Sequence, residues 1–121
     1  MKPVAFIIED TEDIALVFGT AVDRAGYEVV TIYDGALALE HLAETIPDLV
    51  ILDLHLPEVS GEKILKYIRS DSRFERTKVI LATADSILAE KLAGDSTIAL
   101  QKPISFTQLR QLAERLRPRG E

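Results

Sequence analysis

The sequence predicts an open α/β fold, a doubly wound sheet of five parallel strands with five helices. Two observations carry this. Five short runs are rich in β-branched residues and apolar on both faces, as suits parallel strands covered from either side. Each is followed by a segment of helical periodicity, and such strict alternation requires right-handed crossovers back into one sheet. VAFII at 4–8 is the first strand. Ile14, Val17, Phe18, Ala21, Val22 and Ala25 then recur at helical spacing, and Gly26 stops that helix. EVVTI at 28–32 is the second strand. Leu39, Leu42, Ala43 and Ile46 mark the second helix, capped by Asp34 and ended ahead of Pro47. DLVILDL at 48–54 is the third strand, and Ile64, Leu65 and Ile68 mark a helix after Gly61. SDSRFERT at 70–77 reads as a polar loop. KVILAT at 78–83 is the fourth strand, followed by a short helix over about 86–93 with Ile87, Leu88 and Leu92, which stops at Gly94. TIALQ at 97–101 is the last strand, and Phe106, Leu109, Leu112, Ala113 and Leu116 form the last helix behind a Ser105 cap. Residues 1–117 make one domain, and 118–121 are expected to be a disordered tail.

Composition narrows the function classes. The chain has 121 residues, 14 Lys plus Arg and 20 Asp plus Glu, for a net charge of −6. A domain of this size buries about two-thirds of its unfolded surface and needs no disulfide or structural metal. Zero cysteines exclude thiol catalysis, CxxC redox chemistry and thiolate zinc sites, and His41 and His55 are too few for a histidine zinc cage. His41, beside Glu40 and Glu44 on the helix pattern, reads as a surface residue. The acidic balance argues against nucleic acid or an anionic membrane as main partner. No apolar run approaches the roughly 20 residues of a membrane span, and the first strand meets Glu9-Asp10 too soon for a signal peptide, so a cytoplasmic domain is expected. GxxxxGK[ST] and GxGxxG are absent, and the third strand ends Asp53-Leu54-His55 rather than DxD, which disfavours kinases, NTPases and dinucleotide enzymes.

In open α/β sheets, ligands bind beyond the carboxyl ends of the strands. Here the strand exits carry Glu9 and Asp10, then Asp53, Thr83 and Lys102-Pro103. Three carboxylates on one rim repel one another unless a cation neutralises them, and hard oxygen donors favour Mg²⁺. A divalent metal, a lysine and a hydroxyl together suit a phosphoryl group. Asp53 leaves the most apolar strand and is the natural nucleophile. Taken singly, each residue has a plain structural reading: Asp53 as a loop residue, Thr83 as a helix-start residue, Lys102 as a surface charge. Glu12 and Asp13 are read that way, as acidic residues favoured at a helix start. The constellation carries the weight.

These residues resemble the receiver domain of two-component response regulators over essentially the whole chain. The resemblance rests on Glu9-Asp10 after strand one, on DLVILDLHLPEVSG with Asp53, Pro57 and Gly61 in place, on Thr83-Ala84, on Lys102-Pro103, and on the five-fold alternation. It implies a flavodoxin-like sheet in the order 2-1-3-4-5. It also implies that Asp53 accepts a phosphoryl group from a sensor histidine kinase or a histidine phosphotransfer protein. Glu9 (through water), Asp10, Asp53 and the backbone carbonyl of His55 would hold Mg²⁺, while Thr83 and Lys102 grip the phosphoryl oxygens. The side chains of His55 and Asp85 would modulate the reaction, and Pro103 would follow a cis bond. Such a domain is a phosphoryl acceptor with at most slow self-dephosphorylation rather than an enzyme.

Three departures stand out. Glu9-Asp10 replaces the family's usual pair of aspartates, the turn before the fifth strand reads AGDST, and Ala99 stands where the family's switch places an aromatic. No output domain follows in the chain, so a stand-alone receiver and an excised one are both open. A receiver-fold interaction domain indifferent to phosphate is the competing function. A flavodoxin-like ligand-binding protein or related phosphatase is the third, disfavoured because EDTED after strand one would repel a phosphate.

Overall fold

The computed structural model describes residues 2–94 and 96–118. Of the expected tail only Pro118 lies among them, and 119–121 fall outside the described residues, as does Asp95 of the altered turn. The strands are β1 (Val4–Ile8), β2 (Glu28–Ile32), β3 (Leu49–Asp53), β4 (Lys78–Thr83) and β5 (Thr97–Gln101). The helices are α1 (Glu12–Arg24), α2 (Gly35–Glu44), α3 (Gly61–Arg69), α4 (Ser86–Leu92) and α5 (Phe106–Leu116). All strand pairs are parallel, in the order β2-β1-β3-β4-β5. This is the flavodoxin-like sheet the sequence predicts.

Alternation along the strands divides the core in two. Phe6, Ile8, Val50, Leu52, Val79 and Leu81 face α2, α3 and the partly buried side of α4. Ala5, Ile7, Leu49, Ile51, Ile80 and Ala82 face α1 and α5. Both clusters hold fully buried side chains, which explains why the central strands read as continuous apolar runs. Tyr27 crosses to the second cluster, where its hydroxyl donates to the Ala113 carbonyl at 2.8 Å and ties α5 to the end of α1.

Several expected positions need correction. On α1 the buried stripe is Ala15, Phe18, Gly19, Ala21 and Val22, whereas Val17 is exposed and Ile14 only half-buried. The second helix ends at Glu44, because Thr45 is extended and Ile46 precedes Pro47, a position biased away from helical backbone. Ile46 and Ala43 are therefore exposed, and the stripe is Ala38 and Leu42. β3 is shorter at each end than 48–54. Ile87, expected on the inner face of α4, is 80 % exposed. The expected loop at 70–77 contains a 3-10 turn, Ser72–Phe74, whose Phe74 is fully buried beside Tyr67. One apolar ring among polar residues gives no periodicity, so the pattern hid an anchor.

Asp34, Ser60, Asp85 and Ser105 cap α2, α3, α4 and α5, each accepting a backbone N–H three residues on. Gly26, just past α1, has φ 104°, a left-handed conformation that glycine adopts without cost.

Candidate functional site

Strand register assembles the site. Ile8 pairs with Leu52, so the next residues, Glu9 and Asp53, lie side by side where chain order reverses between β1 and β3. Asp53 pairs with Ala82, which places Thr83 one step further along the rim. Thr83 pairs with Gln101, so Lys102 follows on the outer edge. Backbone bonds continue past the strand ends and fix these residues: Glu9 N–H donates to Ile32 at 3.0 Å and Lys102 N–H to Thr83 at 2.8 Å. The Lys102–Pro103 peptide bond is cis.

The side chains converge on Asp53, which is 3 % exposed. Its Oδ1 accepts the His55 N–H at 3.0 Å and the Lys102 Nζ at 3.4 Å. Its Oδ2 has no hydrogen-bond partner among the described residues and, since no such buried side-chain atom is unpaired, keeps solvent contact. One oxygen is held and the other is open. Lys102 also reaches Glu9 Oε1 at 3.3 Å, while Glu9 Oε2 accepts the Thr11 N–H at 3.2 Å. Glu9 is 1 % exposed, and burial pushes its carboxyl above the ordinary range, with Asp53 adding to the rise against the Thr11 amide and Lys102. Carboxylate oxygens of Glu9, Asp10 and Asp53 lie within 4.8 Å of one another. Against these three, Lys102 is the one cation paired to Glu9 or Asp53 among the described residues.

The loop after Asp53 is shaped by a tight turn. Val59 N–H donates to the Pro57 carbonyl at 2.8 Å across Glu58, whose φ of 64° is left-handed and costly for a residue with a Cβ. The turn brings Ser60 to the start of α3. Gly61 follows, with its Cα so close to the end of β3 that a Cβ would collide with the Asp53 carbonyl oxygen and approach Leu54 Cα to 2.6 Å.

Thr83 is fully buried. Its Oγ1 accepts the Asp85 N–H at 3.0 Å and meets the His55 Nε2 at 3.5 Å. Asp85 is exposed and uses its carboxylate to cap α4 through Leu88 N–H. The structure thus brings Glu9, Asp10, Asp53, His55, Thr83 and Lys102 to one rim, with Asp85 behind Thr83. Glu12 and Asp13 sit in the first turn of α1, as read from the sequence.

Two features had no sequence signal. The Thr11 amide on Glu9 is a backbone group and leaves no trace in residue type. Arg69, at the end of α3, donates to Thr97 Oγ1, Thr77 O and Ser96 O, and so anchors the start of β5 far below the rim.

Residues 5–114 match the family described as the response regulator receiver domain. The chain belongs to that family. A curated relative, the polar-differentiation response regulator DivK of Brucella anthropi, is 32 % identical over 108 residues, covering 87 % of this chain and 88 % of the relative. Among solved structures, chemotaxis response regulator CheY4 of Vibrio cholerae superposes with a TM-score of 0.82 at 23 % identity, over 96 % of this chain and 99 % of that one. The receiver domain of sensor histidine kinase PA1611 of Pseudomonas aeruginosa, described with magnesium in its active-site cleft, gives 0.82 at 22 % identity, over 96 % and 98 %. These two likenesses concern the fold. Within this receiver, Ala99 lies partly buried on the α4 side of β5, beside a groove of about 270 Å³ lined by Ser86, Ala89, Glu90, Ala93, Ala99 and Gln101. No helix among the described residues is long and apolar enough to cross a membrane.

Proposed function

We propose that this receiver takes a phosphoryl group from a histidine of a sensor kinase or phosphotransfer protein onto Asp53. The observation that carries the reading is the state of the Asp53 carboxylate: one oxygen fixed by His55 N–H and Lys102, the other unpaired and reachable. Asp53 Oδ2 attacks phosphorus, a P–O bond forms, the P–N bond to the donor histidine breaks, and its imidazole leaves with the bonding pair and takes up a proton. Lys102 moves its attraction from the carboxylates to the new phosphoryl oxygens, and the Thr83 hydroxyl donates to one of them. The donor set of Glu9, Asp10 and Asp53 fits Mg²⁺, since all are hard oxygen ligands and the three carboxylates converge; together with the His55 carbonyl they would hold the ion, Glu9 through water. When bound, the ion neutralises charge that would otherwise oppose an incoming phosphoryl group.

The readout of this step runs through the start of α4. Thr83 Oγ1 is bonded to Asp85 N–H, and Asp85 caps α4, so turning the hydroxyl toward Asp53 loosens that cap. Ala99 carries only a methyl group, with no rotamer to follow Thr83, which confines the change to the β4–α4 connection. Incubation with acetyl phosphate tests the acceptor reading. Intact mass should show one added phosphoryl group with Mg²⁺, none with EDTA, and none on Asp53→Asn. Equal labelling of Asp53→Asn would overturn it.

A further inference from the structure

His55 meets the acceptor site twice, with backbone and with ring. Its N–H is fixed on Asp53 Oδ1 at 3.0 Å, while its exposed side chain folds back over the rim until Nε2 lies 3.5 Å from Thr83 Oγ1, on a strand 28 residues away. A threonine hydroxyl has one proton and two lone pairs. Asp85 N–H occupies a lone pair at 3.0 Å. In the tautomer that leaves Nε2 unprotonated, the His55 ring takes the proton. Both of its neighbours then hold the hydroxyl away from Asp53, although a phosphoryl group on Asp53 needs that same proton.

We propose that His55, in the tautomer protonated at Nδ1, is a positioning residue that parks the Thr83 hydroxyl before phosphorylation, and so opposes the phosphorylated state through Thr83. The inference rests on the phosphoryl-acceptor reading above. The backbone anchor gives the ring its reach, because the Asp53 carboxylate holds the His55 amide in place and leaves the side chain free to span the mouth of the site. At 3.5 Å the contact is long, which limits its strength to that of a modest hydrogen bond. Losing it costs the resting state little and favours the occupied state by roughly 2- to 10-fold.

The test is the affinity for beryllofluoride, a phosphoryl mimic, measured with Mg²⁺ by amide NMR titration of the full chain. His55→Ala should bind roughly 2- to 10-fold more tightly than wild type. His55→Phe, which keeps a ring and loses both nitrogens, should do the same. In a Thr83→Val background His55→Ala should change nothing, because the hydroxyl it acts on is gone; a merely structural role of the ring would survive that substitution. Unchanged or weaker binding by His55→Ala, or a gain that persists in Thr83→Val, overturns the inference and leaves the acceptor reading standing. Wild-type binding no better than that of Asp53→Asn overturns the acceptor reading and the inference with it.

Discussion

Gly61→Ala isolates one contact on which the geometry around Asp53 depends. The added Cβ would meet the Asp53 carbonyl oxygen, Leu54 Cα at 2.6 Å and the Asp53 carbonyl carbon at 3.0 Å, all of them backbone. No flexible side chain can give way, so α3 and the end of β3 must separate. Overpacking of this kind costs about 1–3 kcal/mol, against a helical gain of at most about 1 kcal/mol for replacing glycine at the first position of α3. Contacts this short with backbone place the cost in the upper part of that range, so the net is a loss of roughly 1–2 kcal/mol, or about 3–8 °C in the midpoint of thermal unfolding for a domain of this size. Gly94→Ala is the matched control. A Cβ there meets nothing within 4 Å, and its φ is outside the left-handed range, so stability should hold or rise by up to about 1 kcal/mol. Thermal unfolding followed by far-UV circular dichroism reads both variants, and acetyl phosphate labelling should slow in Gly61→Ala alone. If Gly61→Ala melted with wild type, or Gly94→Ala fell by as much, steric contact would not be what reserves position 61 for glycine.

Other consequences follow from the same structure. Arg69→Ala removes the hydrogen bonds to Thr97, Thr77 and Ser96; it should cost about 1–3 kcal/mol in a urea melt and raise amide exchange at the start of β5, whereas unchanged exchange there would show that the clamp is idle. Phe74→Ala empties a fully buried site and should cost about 3–5 kcal/mol, far more than Ile87→Ala at an exposed one, and similar costs for the two would refute the burial assigned to the 3-10 turn. For Glu9 the sign is set by burial. Its carboxyl is raised in the folded chain, so its contribution to stability is fully present below its unfolded value of 4.5 and lost as pH rises through the folded value. In EDTA, Glu9→Gln should therefore gain on wild type between acidic and neutral pH, and a melting difference that moves the other way would contradict the raised carboxyl.

The sheet was legible because central parallel strands advertise themselves. VAFII, LVILD and KVILAT are apolar on both faces because helices cover both. Helix caps were legible at Asp34 and Ser105, where residue type alone states the geometry. Less was visible where tertiary contact overrides pattern. Val17 and Ile87 are apolar at helical spacing yet face outward, since periodicity gives a stripe but not its width. Phe74 sits alone in a polar segment and has no period at all. At the rim, strand exits named Glu9, Asp10, Asp53, Thr83 and Lys102, and register then brought them together. The ring of His55 against Thr83 lay beyond the sequence, because it depends on how a loop folds back rather than on spacing.

The central claim is that Asp53 itself becomes the acyl phosphate. Borohydride reduction converts an aspartyl phosphate to homoserine, so the chain is treated with acetyl phosphate and Mg²⁺, reduced, digested and sequenced by tandem mass spectrometry. Homoserine at position 53 and at no other aspartate is the expected result. A phosphoryl group on Ser60, Thr83 or a histidine, or homoserine at Asp10 with position 53 unchanged, would contradict the account.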